Sequence, residues 1–131
     1  MLLLMACIAE QKDSLTYKQL INPTNLTNSK QVDFANIGDS EWNKVCFFAP
    51  YTAKGISKQA LGFDWEVTEQ TDIASNEGIN VIVFATESKV TEYFAIPRNK
   101  IDSFRNIPAQ CIPRSKAVFT FEDTSYIYRR N

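Results

Sequence analysis

Few side chains in this sequence are equipped for catalysis. Histidine is absent, which removes Ser-His and Cys-His nucleophilic pairs and histidine-ligated metals from consideration. No glycine-rich phosphate loop, nucleophile elbow or calcium-loop pattern occurs. Ser57-Lys58, Ser88-Lys89 and Ser115-Lys116 are neighbours in sequence. Adjacent residues in a strand or turn point apart, so these pairs read as solvated surface and not as Ser–Lys catalytic units. A carboxylate-only hydrolase needs two acids in opposed geometry, and spacing alone does not supply it. No catalytic residue and no cofactor is assigned. The cysteines are too few for a thiolate zinc site, so no metal is expected either.

Recognition groups are more visible than reactive ones. Asp64, Glu66, Glu69, Asp72, Glu77 and Glu87 run without an intervening base, and then Lys89, Arg98, Lys100, Arg105, Arg114 and Lys116 face only Glu92 and Asp102. One reading is a polarised surface whose acidic loop, Glu69 to Glu77, meets a basic partner. The other is ordinary solvation, with the charges pairing across the fold. Among the clustered aromatics Trp42, Phe47, Phe48, Tyr51, Phe63 and Trp65, Tyr51 follows Pro50 at a strand end and is the one expected to be exposed. The candidate partner-binding residues are therefore Tyr51, Glu69, Asp72 and Glu77. The net charge of −1 offers no basic excess for nucleic acid.

The elements that must carry these residues follow from pattern. The 131 residues, 44% hydrophobic and 12% aromatic, suffice for one globular domain. Ser14 caps a short helix from Leu15 to Leu20, stopped at Asn22-Pro23, and Asn22 to Gln31 reads as loop. Residues 8–40 are expected to be a tether and lead-in, with the globular domain at 41–131 and its core opening at Trp42. Lys44 to Ala49 is a strand, and Gly55 to Gly62 holds a helical turn with Ser57 as cap and Gly62 as terminator. Phe63 to Val67 is a short strand. Ile79 to Thr86 is the strongest strand, its β-branched run Val81-Ile82-Val83 leading into Phe84 and implying burial on both faces. Val90 to Ile96 completes a hairpin, Lys100 to Arg105 is a helical turn, and Ala117 to Phe121 with Tyr126 to Arg129 forms a second hairpin. The fold class is α+β, β-rich: an antiparallel sheet of four to six strands with one or two short helices.

Leu4-Met5-Ala6-Cys7 resembles the lipobox of bacterial lipoproteins, in which the cysteine is acylated and the preceding peptide removed. The resemblance implies lipidation at Cys7, with residues 1–7 as signal remnant and a soluble domain hanging from a membrane. Ile8, where inner-membrane retention would place Asp, implies the outer membrane, facing the periplasm. Trp42-Asn43-Lys44-Val45-Cys46-Phe47-Phe48-Ala49-Pro50-Tyr51 and Leu61-Gly62-Phe63-Asp64-Trp65 look like small proteobacterial lipoproteins, a group that brings no activity with it. No Lys or Arg precedes Cys7, and five apolar residues separate it from Met1. Either the true start lies upstream of Met1, or this segment packs on the domain as an apolar N-terminus.

The remaining cysteines fit an exported chain. With Cys7 taken by lipid, Cys46 and Cys111 are left as an even pair able to form one disulfide in an oxidising compartment. The alternative is two buried thiols. Three functions are then open. One is a lipid-anchored binding module, an immunity or exclusion-type inhibitor for instance. Another is an accessory subunit of an envelope assembly for secretion or the cell wall. The third is the carboxylate hydrolase.

Overall fold

The computed structural model describes residues 14–23, 31–107, 110–122 and 124–130. Cys7 and the whole lipobox lie outside them. Helix α1 (Leu15–Ile21) begins as its sequence directs, with the Ser14 hydroxyl accepting from the Tyr17 amide at 3.1 Å. Strands β1 (Gln31–Asp33), β2 (Lys44–Phe48), β3 (Ile79–Ala85), β4 (Val90–Pro97), β5 (Ser103–Arg105), β6 (Ile112–Pro113), β7 (Val118–Glu122) and β8 (Ile127–Arg130) follow. Helices α2 (Ile56–Leu61) and α3 (Val67–Gln70) lie between β2 and β3.

The strands form two four-stranded sheets in place of the single sheet of four to six strands expected. Their orders are β1-β7-β8-β5 and β4-β3-β2-β6. The second is antiparallel throughout. The first contains a parallel rung, β5 on β8, with Ser103 opposite Ile127. Residues expected as a helical turn, Lys100 to Arg105, thus end as an edge strand. Phe63 to Val67 is not a strand either; it bends into α3, where Thr71 N closes on the Val67 carbonyl at 3.0 Å.

Period-two alternation splits the β4-β3-β2 sheet between two cores. Val45, Phe47, Ile82, Phe84, Phe94 and Ile96 face the other sheet, packing with Phe34, Phe119, Phe121 and Tyr128. Cys46, Phe48, Val81, Val83 and Ala85 face the opposite way, against Leu61, Val67 and Ile73 of the helical layer. Strand β3 is covered on both faces, as its unbroken apolar run implies.

The core opens well before Trp42. Leu20, Val32, Phe34 and Ile37 are all completely buried, so the described part of the lead-in segment is structural. Tyr128 Oη donates to the Leu20 carbonyl at 2.8 Å, tying α1 to the last strand. Trp42 Nε1 donates to the Ile37 carbonyl at 2.8 Å. At Gly38, with φ +79°, an added Cβ would stand 3.2 Å from Trp42 Nε1 and 3.3 Å from Glu92 Oε1. That position therefore favours glycine for both conformation and space.

Candidate functional site

Where β2 ends, the chain reverses through Ala49-Pro50-Tyr51-Thr52, and Thr52 N donates to the Ala49 carbonyl at 3.2 Å. Proline in the second place and positive φ in the third are the marks of a type II turn, whose third residue is ordinarily glycine or asparagine. Here it is Tyr51, at φ 67° and 58% exposed. A bulky aromatic in left-handed backbone costs about 1–2 kcal/mol, and its solvated ring buries little to offset that.

Two hydrogen bonds hold this residue against the acidic loop. Its amide donates to the Ile73 carbonyl at 2.8 Å, and its hydroxyl donates to Glu77 Oε2 at 3.1 Å. Donation to that carboxylate raises the phenol's pKa above the ordinary tyrosine value. Glu77 is positioned in turn by Arg98, whose Nη1 donates to the Glu77 carbonyl at 3.3 Å. Asp72 is ordered by Asn76, whose Nδ2 donates to both carboxylate oxygens at 3.2 Å. Asn76 Oδ1 accepts from Gly78 N at 2.7 Å and closes the loop into β3.

The structure thus assembles Tyr51, Asp72 and Glu77 around one exposed loop. Glu69 stands apart on α3; among the described residues, no hydrogen bond or ion pair joins its carboxylate to the other three. No ion pair among the described residues neutralises Asp72 or Glu77. Elsewhere part of the expected charge polarity is consumed locally, at Asp64, Lys89 and Arg98. Lys89 pairs with Glu41 at 2.9 Å, Lys58 with Asp64 at 3.9 Å, Arg98 with Asp102 at 2.9 Å, and Arg129 with Glu122.

The Ser–Lys neighbours do not form reactive pairs where their contacts are defined. Ser57 is buried. Its hydroxyl donates to the Trp65 carbonyl at 3.0 Å and accepts from Val67 N at 2.8 Å, while Lys58 reaches outward to Asp64. Ser57 therefore stitches α2 to the start of α3 instead of capping α2, whose N-cap is Gly55.

Cys46 and Cys111 are joined by a disulfide spanning 65 residues of sequence, with Cα atoms 4.3 Å apart. The register Lys44 with Pro113 and Val45 with Ile112 makes this pair the next rung, directly cross-strand. Sequence reasoning missed Arg114, one base in a basic run. Its Nη1 donates to the Asp39 and Trp42 carbonyls at 2.9 Å each, and its Nη2 to the Ala35 carbonyl at 2.7 Å. The guanidinium also lies 4.4 Å from the Trp42 ring centre. It missed Glu92 too: this half-buried carboxylate accepts from Thr16 Oγ1 at 3.1 Å. Burial, reinforced by the negative charge of Asp39, raises its pKa above the ordinary glutamate value.

Neither protein-family models, nor curated proteins, nor solved structures give a match to this chain.

Proposed function

We propose that this protein is a lipid-anchored binding module of the bacterial envelope, held on Cys7 at the outer membrane and facing the periplasm. Its partner is a protein that docks on Tyr51 and the acidic loop, in the manner of an immunity or exclusion-type inhibitor. The observation that carries the docking surface is Tyr51 itself. An exposed aromatic occupies a backbone conformation suited to glycine, and hydrogen bonds at its amide and its hydroxyl hold it on an acidic loop. Such a residue is poorly accounted for by stability and well suited to a contact. The lipobox resemblance supports the anchor, and the Cys46–Cys111 pair suits an oxidising compartment.

Two measurements test this. Intact mass from the native host should show loss of the residues before Cys7, a gain of acyl chains, and alkylation of Cys46 and Cys111 only after reduction. An unprocessed chain with three free thiols would overturn the envelope reading. For the surface, Tyr51→Gly and Glu77→Lys should each reduce cross-linking to envelope proteins about tenfold or more, the scale of a lost hot-spot contact. Unchanged cross-linking in both, and in the charge reversal of Glu69 and Asp72, would remove this surface from the proposal.

A further inference from the structure

Away from Tyr51, the other end of β2 borders a cleft of about 670 Å³ lined by Lys44, Ile56, Gln59, Ala60, Gln110 and Cys111. One half of the disulfide therefore lines the cleft and the other does not. Cys111 is partly exposed on the cleft wall, whereas Cys46 is completely buried beneath it, in the core shared with Leu61 and Val83. Lys44 is the one charged residue in that lining, and its Nζ donates to the Leu61 carbonyl at 2.6 Å at the end of α2. Gln59 and Gln110 add amide donors. The opening thus places a partly exposed half of the disulfide, its Sγ 3.3 Å from the Ala60 carbonyl, beside a cation and polar side chains.

We propose that Cys111 is a modification site, taking a small anionic thiol as a mixed disulfide. The thiolate attacks Cys111 Sγ from the cleft, a new S–S bond forms there, and the Cys46–Cys111 bond breaks. The electron pair of the broken bond leaves on Cys46. Buried in an apolar core, that sulfur takes up the proton released when the attacking thiol ionised, and it rests as a neutral thiol. One thiol and one disulfide are consumed, and one mixed disulfide and one thiol are produced, so no further oxidant or reductant is needed. Lys44 draws the anionic thiol in; burial of Cys46 fixes which sulfur is attacked. Strand β6, two residues long, then loses its covalent tie to β2 and is held by the rungs at Lys44 and Val45, the Arg114 contacts and the buried side chain of Ile112. The site lies apart from Tyr51 and does not depend on the docking reading.

The test uses the full chain, folded, with reduced glutathione as the anionic thiol and 2-mercaptoethanol as a neutral one. Peptide mapping should place the glutathione adduct on Cys111, with Cys46 a free thiol that alkylates only after denaturation; any adduct at Cys7 maps separately. Lys44→Gln should slow the glutathione reaction about two- to fivefold relative to 2-mercaptoethanol, the scale of one partly screened charge. A stability change alone would move both thiols together. The wild-type chain gives a second reading, since added salt should slow glutathione and spare 2-mercaptoethanol. An adduct on Cys46, or reaction only at the rate of global unfolding, would overturn the assignment. Equal responses of the two thiols to Lys44→Gln and to salt would overturn the role of the cation.

Discussion

Tyr51 and Glu92 are both residues whose present state opposes stability, for different reasons. At Tyr51 the strain is conformational. Tyr51→Gly and Tyr51→Ala both delete the ring and its bond to Glu77, but only glycine is at ease at φ 67°. The glycine variant should therefore be the more stable by about 1 kcal/mol, read from urea midpoints. At Glu92 the strain is electrostatic. Its folded pKa is raised by burial and by Asp39, so the folded state holds this proton more tightly than the unfolded chain does. The stability linked to it is fully present below the unfolded glutamate value and is lost as pH rises through the folded one. Glu92→Gln, which can still accept from Thr16, should raise Tm at pH 7, and the gain should shrink as pH falls through the raised folded value and be gone below the ordinary glutamate value. Tyr51 was legible from its place after proline at a strand end. Glu92 was not, because nothing in a single acid within a basic run indicates that α1 and the Gly38 turn close over it.

Among the elements, local pattern was readable and long-range pairing was not. The Ser14 cap, the Gly62 terminator and the β-branched run of β3 each carry their own signal, and each element stands where that signal puts it. Strand β5 is three residues long and pairs in parallel with a strand more than twenty residues later, so no neighbouring pattern marks it. Strand β1 is equally short and takes its partner, β7, from the far end of the sequence. Arg114 shows how such remote pieces are joined: through carbonyls of Ala35, Asp39 and Trp42 it ties the start of the core to the segment just after β6. Arg114→Lys keeps the charge but cannot span three carbonyls in a fork or stack as a plane on Trp42. It should cost about 2–3 kcal/mol of unfolding free energy, measured in urea.

For the molecule as a whole, the disulfide and the two-sheet arrangement determine how the chain is held. Pairing of Cys46 with Cys111 was reachable by counting once Cys7 was set aside; that it forms a cross-strand rung was not, since β6 shows no strand signal of its own. In the chain-entropy account, a bridge closing 65 residues contributes about 4 kcal/mol. The double variant Cys46→Ala, Cys111→Ala should lose about that much, as a lowered denaturant midpoint with the slope increased by its less restricted unfolded state.

The pairing of β1 with β7 also has a temporal consequence. One sheet is built from residues 31–33 together with residues beyond 102, so its hydrogen bonds must wait until β7 and β8 have left the ribosome. The buried ring of Phe34 lacks its edge-on partners Phe119 and Tyr128 before then, and Val32 lacks its rung opposite Phe119. Such late closure belongs to folds dominated by distant contacts, and refolding in milliseconds to seconds, not microseconds, is the expected stopped-flow result for the disulfide-free variant. A chain whose second sheet closes only at its end stays incompletely folded, and so threadable, until synthesis is nearly over, which suits the export proposed above.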